Sequence, residues 1–249
     1  MSSIVITGAN RGIGFHFVER CLSRGNNVAV LDVETDNLEN LAQSYPDRLL
    51  FFKADVRDFD QMRAAIEAVE SRFGRIDIAI HNAYLCPFSK ETELELGAYE
   101  SVFDVNYFGA LRLVKCTVPH MRARGGGRIV FVSSGVGVTG FPGLSAYAST
   151  KGALETLAKC LSLEYASVGI SFHIIHPPLT RTRSSAPLPV PKEFMADPLT
   201  VGRGLADRIG SKHFILCHSR LQKLQILLCY LFPIRFGKLL SSLTQKCTK

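Results

Sequence analysis

Residues 7–14 read TGANRGIG, with a β-branched run at 4–6 before them and a segment of helical apolar spacing, 12–24, after them. A lone glycine triplet says little; one set between a strand and a helix has a mechanism behind it. Gly8 permits a tight turn, while Gly12 and Gly14 let the backbone approach a pyrophosphate at the helix amino terminus, where unpaired N–H groups favour anions. The competing reading is a plain strand-to-helix turn, and the rest of the chain has to choose.

Outward from this loop, short β-branched runs alternate with longer amphipathic segments. Strands are predicted at 4–6, 27–31, 49–53, 77–80, 128–132 and 170–175, and helices over 12–24, 35–44, 58–73, 96–122 and 145–168. That rhythm implies βαβ crossovers and a Rossmann-type, doubly wound parallel sheet in a three-layer α/β/α sandwich, with ligands at the carboxyl ends of the strands. GGG at 125–127 reads as a helix stop and turn. Six prolines between 177 and 198 mark an irregular segment, 177–200, with the length of a substrate-covering loop. One catalytic domain is expected over 1–217 and a basic amphipathic extension over 218–249.

The chain has 249 residues, 47% of them hydrophobic and 20% charged, enough for one large core and without a disorder signature. Seven cysteines form no CxxC pair, which argues for free thiols in a reducing compartment and against a disulfide scaffold or zinc site. A strand-like run begins within four residues of Met1, so no signal peptide is expected and a cytoplasmic location is. From Arg203 onward there are nine Lys/Arg and one acid, a net +8, whereas residues 1–202 carry net −1. A neutral domain with a basic tail is not the charge map of a nucleic-acid-binding protein.

Two further groupings carry chemistry. Asp32 closes the second strand eighteen residues after Gly14, where a carboxylate can accept both ribose hydroxyls and would repel a 2′-phosphate, favouring NAD over NADP. Arg11 argues the opposite way, and Asp32 is given the greater weight. Asp55 either meets an adenine edge or caps the following helix. Tyr147 and Lys151 lie four apart, on one helix face; an ammonium beside a phenol favours the phenolate and makes Tyr147 a usable general acid–base. Ser134 ends a strand thirteen residues earlier, where its hydroxyl can polarise a carbonyl.

TGANRGIG, Asp32, Asp55, Asn82–Ala83, Asn106, Ser134, Tyr147 and Lys151 stand in the order and spacing of the short-chain dehydrogenase/reductase family, and over 3–185 the chain resembles its compact single-domain type. The resemblance implies that Tyr147 exchanges a proton with the substrate oxygen while hydride moves to or from a nicotinamide. Lys151 would hold the nicotinamide ribose and lower the tyrosine pKa, Ser134 would orient the carbonyl or alcohol, and Asn106 would anchor a water. It also implies cofactor contacts from Asn10, Arg11, Ile13, Val56, Asn82, Ala83, Pro177 and Thr182, the last capping the nicotinamide carboxamide. Three departures stand out: His81 for an asparagine, Tyr84 for a glycine, and Pro178 for the glycine of PGxxxT. Tyr84 either crowds the cofactor side or packs above it, with packing favoured; His81 reads as a satisfied core histidine.

The stretch KLQILLCYLFPIRFGKLL, 223–240, has a longest uncharged run of eleven residues, too short for the ~20 a membrane span needs. It is read either as a helix packed on its own domain or a sister subunit, or as an interfacial helix presenting Arg220, Lys223, Arg235 and Lys238 to anionic lipid. The function expected is NAD(P)-dependent interconversion of a secondary alcohol and a ketone. A lipophilic substrate (a long-chain keto compound, sterol or retinoid-like alcohol) follows if the tail meets a membrane. A catalytically idle dinucleotide-binding interaction protein is the alternative, against which Ser134, Tyr147 and Lys151 weigh. Helices 96–122 and 145–168 are long enough to pair across a two-fold in a homodimer. No metal or nucleic acid is expected.

Overall fold

Seven short runs of mostly branched apolar residues pair side by side because each can bury both of its faces. In a computed structural model, which describes residues 1–188 and 190–246, they are β1 (Ser3–Thr7), β2 (Asn27–Asp32), β3 (Leu49–Lys53), β4 (Ile78–His81), β5 (Gly127–Val132), β6 (Ile170–Ile175) and β7 (Ile215–Leu216). All pair in parallel, in the order β3-β2-β1-β4-β5-β6-β7. The helices are α1 (Gly12–Ser23), α2 (Asp36–Ser44), α3 (Phe59–Phe73), α4 (Leu96–Phe103), α5 (Gly109–Ala123), α6 (Gly135–Thr139), α7 (Ser145–Glu164), α8 (Pro198–Ala206), α9 (Arg220–Leu231) and α10 (Pro233–Lys246).

Alternate strand residues feed opposite faces of the sheet. Val5, Ala29 and Leu31 pack with Met62, Leu113 and Leu154 of α3, α5 and α7. Ile4, Ile6, Val28 and Val30 pack with Phe17, Leu38 and Val201 of α1, α2 and α8. The register aligns Thr7 with Leu31 and His81, and Val132 with Ile175, so the strand ends that carry the predicted site line up along one edge. Strand order reverses between β1 and β4, which opens the crevice where ligands bind in such sheets.

Three details differ from the sequence reading. The predicted helix 96–122 is interrupted at Asp104–Phe108 by a turn of π-helix. The predicted helix 145–168 ends at Glu164, and Ala166–Val168 is a 3₁₀ turn. The helix-cap alternative for Asp55 fails: α3 is capped by Asp58, whose carboxylate accepts the N–H groups of Asp60 and Gln61.

Beyond β6 the chain makes 3₁₀ turns at Arg183–Ser185 and Lys192–Phe194 and a parallel bridge between Thr180 and Ala196; Pro189 lies outside the described residues. The basic tail folds back as α9 and α10, burying Gln222, Ile226 and Cys229 while Leu221, Leu224, Leu227 and Leu231 stay exposed. No single described helix is long and apolar enough to cross a membrane; α9 and α10 pass that test only as a pair bent by 118°. Six described cysteines are free thiols, four of them buried; Cys247 lies outside the described residues.

Candidate active site

The glycine loop turns tightly into α1, with the Gly8 N–H tied to the Leu31 carbonyl. Gly8 and Gly12 sit at φ 66° and 62°, the left-handed region that favours glycine, and α1 starts without a side-chain cap. A side chain at Gly14 would strike Ala9 and Asn82, and one at Gly12 would come within 3.2 Å of Thr182 Cγ2. The segment after β6 therefore lies across the loop and brings Thr182 to it. Ile13 packs against the core beside the loop. Such a cradle, at a helix amino terminus with a carboxylate at the next strand end, fits a dinucleotide.

Asp32 closes that strand end. Its carboxylate accepts the N–H of Asn10 at 2.8 Å and that of Glu34 at 3.2 Å, so it braces the loop as well as facing it. Asn10 is buried, donating its amide to Asp36 at 2.7 Å and accepting the N–H of Asn37. Arg11 turns away from the cradle to pair with Glu34 at 2.9 Å and Asp36 at 3.0 Å. The base that argued for a 2′-phosphate is thus engaged by two carboxylates. Asp55 is held by Arg57, whose hydrogen bonds keep its carboxyl below the usual range. Val56 is buried, its side chain against Gly109 and its carbonyl accepting from Arg112 at 3.4 Å.

Ser134 follows β5 and occupies the residue before α6, and its side chain makes no capping bond. The hydroxyl is left free on the Tyr147 side, where it favours the ionised phenol. One turn further along α7, Lys151 is 1% exposed and donates its Nζ to the Val132 carbonyl at 2.8 Å. Burial lowers the Lys151 pKa to about 7. The Tyr147 phenol moves up, because burial outweighs the opposing influence of Ser134, so in this arrangement the lysine does not bring it down as the resemblance implied. A cation brought to the phenol would reverse that balance.

Asn106 lies on the π turn, fully buried. It accepts the N–H of Leu85 at 2.7 Å and donates to the Leu85 carbonyl at 3.0 Å and to Thr150 Oγ1 at 2.9 Å. The extra residue in that turn aims the side chain inward, a use π turns often have at working sites.

Thr7, which sequence reading passed over as a strand end, ties β1 to β4. Its hydroxyl accepts the N–H groups of Asn82 and Ala83 at 3.2 Å each and must therefore donate to His81 Nδ1, 3.1 Å away. His81 is completely buried and neutral, its pKa pushed by burial down to about 3; its Nε2 has no hydrogen-bond partner, so it is a core histidine satisfied on one side only. The Asn82 amide donates to the Gly8 carbonyl, closing the loop from the other side.

Tyr84 is brought into the site as well. Its ring lies 5.9 Å from that of Tyr147, and the Lys151 ammonium is 5.6 Å from the first ring and 5.3 Å from the second. Burial raises the pKa of the Tyr84 phenol, and Ser184 and Thr182 act against that rise. The ring packs against Tyr147 and Lys151 while 40% of the residue stays exposed. Pro177 and Pro178 are half-buried at the end of β6. Among the described residues no cluster of His, Cys, Asp or Glu can hold a metal ion.

Comparison with known proteins agrees with this geometry. The family model for short chain dehydrogenase matches residues 2–191, and the chain belongs to that family of oxidoreductases. It is 34% identical over 195 residues to 2-(R)-hydroxypropyl-CoM dehydrogenase of Xanthobacter autotrophicus, covering 74% of this chain and 78% of that one. A short-chain dehydrogenase from Streptomyces avermitilis superposes with a TM-score of 0.81 at 25% identity, covering 100% of this chain and 99% of that one. In fold the chain is also like the 3-ketoacyl-(acyl-carrier-protein) reductase of Brucella melitensis, solved with NADH, with a TM-score of 0.77 at 23% identity over 85% of this chain and 91% of that one.

Proposed function

We propose that the protein interconverts a secondary alcohol and a ketone at Tyr147, with NAD as the preferred cofactor. The observation that carries this reading is the convergence of Ser134, Tyr147 and Lys151 from two chain segments beside the glycine cradle. Gly8, Gly12, Gly14, Asn10 and Asn82 would hold the dinucleotide, Asp32 its adenosine ribose, and Lys151 and Thr182 its nicotinamide end. Bound there, a nicotinamide dinucleotide supplies or takes up the hydride. Tyr147 holds or gives the proton at the substrate oxygen, and Ser134 donates a hydrogen bond to that oxygen. Asn106 fixes the wall of the site by joining Leu85 to Thr150. Support for NAD comes from three acids at and just after the end of β2: Glu34 and Asp36 occupy Arg11, and Asp32 stands where it would repel a 2′-phosphate.

A lipophilic substrate is favoured by what rims the site. Leu85, Leu179 and Phe194, on the two segments that flank it, are 44%, 41% and 69% exposed. The same preference extends to the tail, whose exposed Leu221, Leu224, Leu231 and Ile234 stand among Arg220, Lys223 and Arg235, the composition of a helix that lies on an anionic membrane. Turnover of NADH against ketones of increasing chain length, with wild type beside Ser134→Ala, tests the chemistry. Co-sedimentation of the full chain with anionic and neutral vesicles tests the tail. Equal turnover by Ser134→Ala, or equal recovery with both vesicles, sinks the corresponding half.

A further inference from the structure

Behind the site lies a buried polar cluster that the reaction does not use. Glu155 is one helical turn after Lys151 on α7 and only 5% exposed. Its Oε1 accepts the Ser133 hydroxyl at 2.9 Å, and its Oε2 accepts the Tyr230 hydroxyl of α9 at 2.6 Å. His176, completely buried, stands with Nε2 3.3 Å from Glu155 Oε1 and 3.2 Å from the Tyr230 oxygen, its ring edge-on to that of Tyr230. Gln222, also of α9, donates to the His176 carbonyl at 2.6 Å. Burial raises the Glu155 pKa and lowers that of His176 to about 4, so His176 supplies no charge to the carboxylate, which the Tyr230 and Ser133 hydrogen bonds hold with a smaller contribution from Lys159.

The attachment points of this cluster are the neighbours of the working residues. Ser133 precedes Ser134, Glu155 follows Lys151 by a turn, and His176 precedes Pro177. On the other side of Ser134, Ile226 Cδ1 of α9 packs against Gly135, 3.6 Å from where a side chain would begin. A helix serving only to cover apolar surface needs neither a phenol turned inward nor a buried carboxylate to receive it.

We propose that Tyr230 is a positioning residue: through Glu155 it holds the Ser134, Lys151 and Pro177 segments in mutual register, which makes the carboxy-terminal helix part of the catalytic apparatus. The inference rests on the assignment of Ser134, Tyr147 and Lys151 given above. The geometry makes Glu155 the hub and Tyr230 the link that the tail contributes.

The test compares full-length wild type, Tyr230→Phe, Glu155→Gln and the double variant. Tyr230→Phe keeps the ring and removes one oxygen; kcat falls about ten-fold through misplacement of the working groups, with the Kd for NADH unchanged. The double variant loses no more than Glu155→Gln alone, because both act through one contact. Native-state hydrogen exchange supplies a readout independent of turnover: peptides over 132–140, 148–157 and 174–182 exchange faster in Tyr230→Phe, while those over 3–14 do not change. If exchange rises only in 219–232 and kcat is kept, Tyr230 is a structural staple and the proposal is overturned; additive losses in the double variant overturn it too. A parallel Tyr147→Phe sample separates this from failure of the underlying assignment, since full turnover there removes the assignment whatever the exchange pattern shows.

Discussion

The rings of Tyr84 and Tyr147 lie 5.9 Å apart and tilted by 58°, with the Lys151 ammonium in cation–π range of both. The family pattern has glycine at position 84, so this chain covers its tyrosine–lysine pair with an aromatic lid. Burial is the largest cause of the upward shift at Tyr147, and the Tyr84 ring, itself 40% exposed, packs beside that phenol. Tyr84→Ala is expected to move the pH profile of kcat/KM for alcohol oxidation to lower pH, because a wetter Tyr147 ionises more readily. Tyr84→Phe, which keeps the cover, should leave the profile where it is. A profile unmoved by Tyr84→Ala would contradict the covering role.

Cofactor choice turns on Asp32. Thermal melting should show stronger protection by NADH than by NADPH at equal concentration. In Asp32→Ala the ratio of the two dissociation constants should fall at least about ten-fold, since one lost charge-assisted contact is worth roughly 1.5–3 kcal/mol. Equal protection of the wild type by both cofactors would show that the acids around Arg11 do not discriminate.

Asn106 bonds to both backbone groups of Leu85 and to Thr150 from a fully buried position. Asn106→Ala strands buried partners, so urea unfolding should show a loss of roughly 2–3 kcal/mol. A loss below about 0.5 kcal/mol, the low end for a single hydrogen bond, would mean that the π turn stands without it.

Acid should loosen the fold through two histidines. His81 and His176 have pKa values lowered from 6.5 to about 3 and about 4. Below pH 6.5 the unfolded chain binds more protons than the folded one, so stability is lost as pH falls through that value toward 4. At pH 5 each histidine accounts for about 2 kcal/mol, partly offset by Glu155, whose proton the fold holds more tightly. Replacing His176 with Asn should flatten the fall in melting temperature between pH 7 and pH 5; an unchanged slope counts against its buried, neutral state.

How far these features could be read in advance depended on whether their signals were local. The strands, the glycine loop and the spacing of Tyr147 and Lys151 are properties of neighbouring residues, and the fold keeps them nearly as read. The π turn at 104–108 was hidden because one inserted residue barely disturbs a helical apolar pattern. Asp55 competes in sequence with Asp58 for the cap of α3, and it is Asp58, three residues nearer the helix, that accepts the free N–H groups while Gln61 donates to its carboxylate. The contact of Tyr230 with Glu155 joins positions 75 apart, and nothing in either segment announces the other. The tail looked like an appendage because its composition differs from the domain's, yet one face of α9 is fitted to the domain by Gln222, Ile226 and Tyr230.

The central claim is that Tyr147 handles the proton that accompanies hydride transfer. Its most direct test is single-turnover oxidation of NADH by a ketone that the wild type reduces, repeated with Tyr147→Phe. The hydride-transfer rate should fall about 10²–10⁴-fold, the usual worth of a positioned general acid, while the Kd for NADH stays the same. An unchanged rate in Tyr147→Phe would contradict the account.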